Sequence, residues 1–84
     1  MEEEIVGTVT HYFAKPRVVV IRLSAPVQVG QVLRFRGHTT DFTQQIASME
    51  IEHERIESAE AGAEVAIQVD ERVRRHDRVY RAEG

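Results

Sequence analysis

The chain has no cysteine and no tryptophan. Without cysteine there is no disulfide framework and no thiolate metal site. Its 84 residues leave room for one domain, 1–84, which must be held together by packing alone. Lys15 is its only lysine, so the cationic side is almost wholly arginine, a bias that genome composition or a hot habitat explains as readily as function. No apolar run exceeds Val18 to Ile21, far too short to cross a bilayer. The start, Met1-Glu2-Glu3-Glu4, lacks the basic and apolar regions of a secretion signal. The expectation is a soluble, cytoplasmic protein with no membrane partner. Nowhere does G-x-x-x-x-G-K-[ST] occur, which excludes a phosphate loop and with it GTP hydrolysis.

What is present is charge, unevenly spread. The formal net charge of −3 argues against a general nucleic-acid binder. From Glu50 to Glu64 the chain is acidic, with Glu50, Glu52, Glu54, Glu57, Glu60 and Glu64 against Arg55. The tail is basic, with Arg72, Arg74, Arg75, Arg78 and Arg81 against Glu71 and Asp77. Such asymmetry can steer a partner.

Period-two alternation of valine and isoleucine dominates, and no long helical period occurs. In Ile5 to Phe13 one face reads Ile5, Val9 and Phe13, the other Val6, Thr8, Thr10 and Tyr12. Lys15-Pro16 suits a turn. Arg17 to Leu23 places Val19, Ile21 and Leu23 on one face and Val18, Val20 and Arg22 on the other. Gly30 marks a tight turn, after which Gln31 to Gly37 points Leu33 and Phe35 inward. Phe42 to Glu54 reads as one long strand whose phase slips between Ile46 and Met49, the mark of a β-bulge near Ala47-Ser48. Ala61-Gly62-Ala63 is a turn, Val65, Ile67 and Val69 form the next inner face, and Val79 and Tyr80 seed the last strand. The expected core is Val9, Val19, Ile21, Leu33, Phe35, Ile46, Met49, Ile51, Val65, Ile67 and Val69. The fold class is all-β: a small six- or seven-stranded antiparallel closed barrel.

Chemistry-bearing residues are sparse. His11, His38, His53 and His76 lack the short paired spacings of zinc ligands. His38-Thr39-Thr40-Asp41 reads as a turn in which Asp41 or Thr39 bonds its own backbone. No nucleophile is paired with a base at informative spacing. Neither catalytic residue, metal site nor cofactor is expected, so the chain is read as no enzyme. Arg72, Arg74, Arg75 and Arg78 are the most suggestive surface feature, since guanidinium groups suit bidentate phosphate or carboxylate contacts. Their plainer reading is charge balance against the acidic midsection.

The punctuation follows a known order. Gly7-Thr8-Val9-Thr10, Val27 through Gly37, Ile46-Ala47-Ser48-Met49-Glu50, Ala59 through Val65 and Arg75-His76-Asp77-Arg78-Val79 together resemble domain II of elongation factor Tu and other translational GTPases, over roughly Ile5 to Arg81. In that family a valine-glycine-aspartate turn opens a strand; here Val29-Gly30 are kept and Gln31 replaces the acid. The final glycine-aspartate turn becomes His76-Asp77. The chain is also similar to the small barrel at the C-terminus of collagenase-like peptidases, several of which act in RNA modification.

The resemblance implies a docking module. In elongation factor Tu a glutamate after the bulged strand and an asparagine after the alanine-glycine turn help hold the aminoacyl end of tRNA. Glu50 falls on that glutamate, His53 lies near a basic position, and Glu64 stands where the asparagine would be. A carboxylate there cannot donate as an amide does. The leading expectation is a non-catalytic, elongation-factor-like binding module in translation or RNA processing. It would contact RNA or a ribosome-associated protein through Arg72, Arg74, Arg75, Arg78, Glu50 and His53. The alternative is a protein-interaction accessory subunit, for example of a peptidase-like enzyme, with no nucleic-acid contact.

Overall fold

β-Branched residues alternating with polar ones build ten strands in the computed structural model, which describes residues 4–82. The acidic start at residues 1–3 lies outside them. In chain order the strands are β1 (Glu4–Phe13), β2 (Val18–Leu23), β3 (Val27–Gln28), β4 (Val32–Arg36), β5 (Asp41–Gln45), β6 (Met49–Ile51), β7 (Glu54–Ile56), β8 (Ser58–Ala59), β9 (Glu64–Gln68) and β10 (Arg78–Ala82). No helix among the described residues is long and apolar enough to cross a membrane.

The fold is all-β, as the alternation predicts, and every strand pair among the described residues is antiparallel. The barrel detail differs from expectation. Instead of six or seven strands, the main sheet has eight, in the order β5-β4-β10-β1-β2-β9-β6-β7, and β3 pairs with β8 in a separate two-stranded sheet. No ladder joins β5 to β7 among the described residues. Where a closing ladder was expected, a side chain reaches across. The Gln44 amide donates to the Gln68 carbonyl at 2.8 Å and accepts from the Asp70 N–H at 2.8 Å. It thereby ties β5 to the last residue of β9 and to Asp70 just beyond it, by the same donor–acceptor pair a strand would offer.

Two further differences have a common cause, which is irregular backbone. Phe42 to Glu54 is not one strand. The chain leaves the sheet at Ile46–Ser48, where the Ile46 N–H donates to the Gln31 carbonyl and the Ile46 carbonyl accepts from the Gly30 N–H. That break carries it from β5, at one edge, to β6 beside β9. It then turns back at Glu52-His53, both with positive φ, into β7. In β1 the register skips between Ile5 and Gly7 and again between Val9 and His11. Each extra residue reverses the alternation. Val6 and Val9 are both fully buried as a result, while Ile5 and Phe13 turn outward at 42% and 52% exposure.

The interior contains every residue expected in the core, although Ile51 is only half-buried. Val6, Leu23, Ala25, Val27, Ala59, Val73 and Val79 join it. Phe35 lies opposite Phe42 across β4 and β5, the rings stacked with centroids 5.0 Å apart. Gly30 takes φ 98°, and the Gln31 side chain accepts from the Gln28 N–H at 2.9 Å, so its amide oxygen braces that turn.

Candidate functional site

The residues singled out in the sequence divide between two neighbouring regions of the surface. Arg72, Arg74 and Arg75 lie on the loop from β9 to β10, with Arg78 at the start of β10. Buried Val69 and Val73 root this loop in the core. Its turn is closed by Asp77, whose carboxylate accepts from the Arg74 N–H at 2.8 Å while its own N–H donates to the Arg74 carbonyl at 3.1 Å. His76 takes φ 76° and its N–H donates to the Val9 carbonyl, so the turn is tied to β1. Asp77 itself is only 5% exposed, wedged against Gly37.

This anchoring leaves Arg72, Arg74 and Arg75 around a shallow depression of about 320 Å³ shared with His11 and Tyr12. Arg74 is partly engaged, its Nε donating to the Thr39 hydroxyl at 2.9 Å. The other end of the basic tail is occupied too. Arg81 donates to the Glu4 carboxylate and to the Pro26 carbonyl. Of the expected turn at 38–41, Asp41 bonds not its own backbone but Arg34, whose Nε donates to it at 3.0 Å. That bond, the nearby charge of Arg34 and that of Arg36 together hold the Asp41 carboxyl below its ordinary 3.8.

The second region lies on the outer face of the main sheet. There Val20, Ala66 and Glu50 form a row across β2, β9 and β6. The small side chain of Ala66 leaves a depression, and Val18 extends its apolar floor along β2. Two hairpin tips wall it: Phe13 and Pro16 on one side, Glu52-His53 on the other. The cleft measures about 810 Å³. Glu50, Glu52 and Glu64 line its rim with His53. Arg55 and Arg22 are the cross-strand partners of Glu50 and Glu64, yet among the described residues neither pair forms a salt bridge.

Glu50, His53 and Glu64 are thus brought together around this cleft, whereas the arginines line the other depression, and the two are joined where the His11 ring stacks on Phe13 with centroids 6.3 Å apart. Phe13, Val18 and Val20 complete the cleft, and sequence reasoning does not single them out as site residues. The signal for two of them is available: a strand with valine on both faces has one apolar face left to cover. Simple alternation puts Phe13 on the same face as Val9 and so in the barrel interior, an error that follows from the β1 bulges. Among the described residues, no group of three or more His, Cys, Asp or Glu side chains comes together in an arrangement that could hold a metal ion.

Searches against known families found no family model that matches this chain. An uncharacterized protease of Methanocaldococcus jannaschii is 32% identical over 76 residues, covering 89% of this chain. The chain spans only about a fifth of that protein, 19% of its length. Among solved structures, the C-terminal domain of a Geobacillus thermoleovorans protein assigned to the U32 peptidases superposes with a TM-score of 0.90 at 18% identity, over 95% of this chain and 93% of that domain. Its selenomethionine variant gives 0.88 at 18% identity, over 93% of this chain and 99% of that one. These are the collagenase-like-peptidase resemblance; none of the three is a translation factor.

Proposed function

We propose that this chain is a non-catalytic accessory module of a peptidase-like enzyme and that it works by contacting protein. One observation carries the reading. Nearly the whole chain matches a compact piece of proteins named as peptidases, and in the curated relative that piece is 19% of the length. A fifth of a protease, with no helix among the described residues and with a core of its own, fits an appended docking unit better than the part that cuts peptide bonds. The reaction would belong to the remainder of such an enzyme.

The test is association with a catalytic unit. A peptidase-like catalytic region from the same genome, purified without any domain of this fold, is mixed with this chain and followed by analytical ultracentrifugation. A stoichiometric complex is expected, with no peptidase activity in this chain alone. Absence of a complex at micromolar concentrations overturns the reading.

A second reading keeps the RNA contact of a translation or RNA-processing module, favoured by the exposed arginine loop beside His11 and Tyr12. Contact there would be with phosphate, and affinity would fall steeply with salt. Replacing Arg72 and Arg75 by alanine should flatten the slope of log affinity against log salt by somewhat under one unit for each phosphate no longer neutralised. No binding to single-stranded RNA at low salt eliminates this reading.

A further inference from the structure

The outer face of an antiparallel sheet that meets water is ordinarily polar. Here Val18, Val20 and Ala66 break that rule side by side, half-buried on the face opposite the core. Phe13, one of the two large apolar side chains most exposed among the described residues, stands at their border. Scattered exposed apolar residues carry no meaning, but a contiguous apolar floor inside a cleft of about 810 Å³ does. The rim decides what could cover it. Glu50, Glu52 and Glu64 face the cleft without a salt bridge among the described residues, with His53 as the only basic side chain lining it.

Resting on the accessory-module reading, we propose that this cleft is the docking site for a cationic segment of the partner polypeptide, an extended stretch in which arginine or lysine alternates with an apolar side chain. In such a stretch apolar and charged groups project to opposite sides. The apolar side chain lies on Val18, Val20 and Ala66 against the Phe13 ring, and the long cationic side chains bend outward to the rim carboxylates. The charges steer the encounter and the floor holds the complex. An acidic segment is rejected by the same rim. The arginine loop lines the neighbouring depression, which meets the cleft where the His11 ring stacks on Phe13, so the acidic rim and the arginines flank one continuous stretch of surface.

The probe is a capped hexapeptide alternating arginine and leucine, titrated into the protein and followed by amide NMR shifts. Saturable shifts are expected at Val18, Val20, Glu50 and Ala66. Counterparts alternating glutamate and leucine, or arginine and serine, should not saturate. Replacing Glu50 and Glu64 together by glutamine should weaken the arginine–leucine peptide about fivefold or more, and Phe13→Ser should do likewise. All three side chains project from the sheet's outer face, and an unchanged melting temperature verifies that each variant folds. Shifts centred elsewhere, equal binding by the arginine–serine peptide, or unaltered affinity in the variants overturns the proposal. The purified catalytic unit separates the two ideas. If it binds wild type and the glutamine variant equally, the cleft is wrong and the accessory reading stands. If the peptide binds as expected but the catalytic unit binds neither protein, the accessory reading fails instead.

Discussion

Asp77 shows how much a single side chain can organise here. Its carboxylate is buried, accepts from the Arg74 N–H, and packs so close to Gly37 that a Cβ added there would sit 1.8 Å from Oδ1. Gly37 is therefore required for close approach and not for conformation. Gly37→Ala should push the carboxylate off its donor and leave a buried charge unpaired, costing about 1–3 kcal/mol or more. A urea denaturation of the variant measures it; an unchanged midpoint would mean that the carboxylate moves freely. Asp41 gives the contrasting case at the surface. Its carboxyl is held below the ordinary 3.8, first by the hydrogen bond from Arg34. A depressed carboxyl stabilises the fold above its unfolded value, and that gain is lost as pH falls through the folded value. The gap in melting temperature between wild type and Asp41→Asn should be present but small at neutral pH, shrink with salt, and close as the pH drops below 3.8.

At the scale of elements, the strands are legible in the sequence wherever backbone stays regular, and are misread where it does not. Val18 to Leu23 and Glu64 to Gln68 follow from alternation alone. In β1 the two bulges reverse the phase, and nothing in the residue types at Val6 or Thr10 announces an extra residue. The β6–β7 hairpin is hidden for a related reason. A two-residue turn with positive φ at both positions is ordinarily signalled by Asn-Gly, whereas Glu52-His53 occupy it at φ 50° and 67°. Those residues reach that conformation at a cost. Replacing them together by Asn-Gly should therefore stabilise the protein by about 1 kcal/mol. A lower urea midpoint for the double variant would show that the Glu52 or His53 side chain contributes something the backbone argument omits. The candidate site is half legible for the same reason. Glu50, Glu64 and His53 can be named from the sequence, but the cleft they rim needs Phe13 outside the core, which depends on the bulges.

Across the whole molecule, one interior accounts for the fold. Phe35 is 1% exposed and is the bulkiest of the fully buried side chains, stacked on Phe42 across β4 and β5. Phe35→Ala should cost about 3–5 kcal/mol, a large share of what a chain of 84 residues can hold. Loss of cooperative thermal unfolding is the expected result, and an unshifted melt would contradict the packing described. The arginine loop and the acid-rimmed cleft remain on its surface because neither is spent on the core.

The register of β1 with β10 sets Glu4 opposite Arg81, so the first and last strands run side by side and their outer ends meet. A gap that narrow can be spanned by a few glycine and serine residues, and the Ala14–Arg17 turn at the β1–β2 hairpin is exposed along its length. The order in which the strands are read off the gene is then separable from the order in which they pair. A circular permutant, joined between residues 82 and 4 and reopened within that turn, keeps every ladder of the parent and should give the same far-ultraviolet circular dichroism spectrum and a cooperative melt. The same adjacency lets the module be spliced into a surface loop of a host protein, entering and leaving at one point without forcing the host's chain apart.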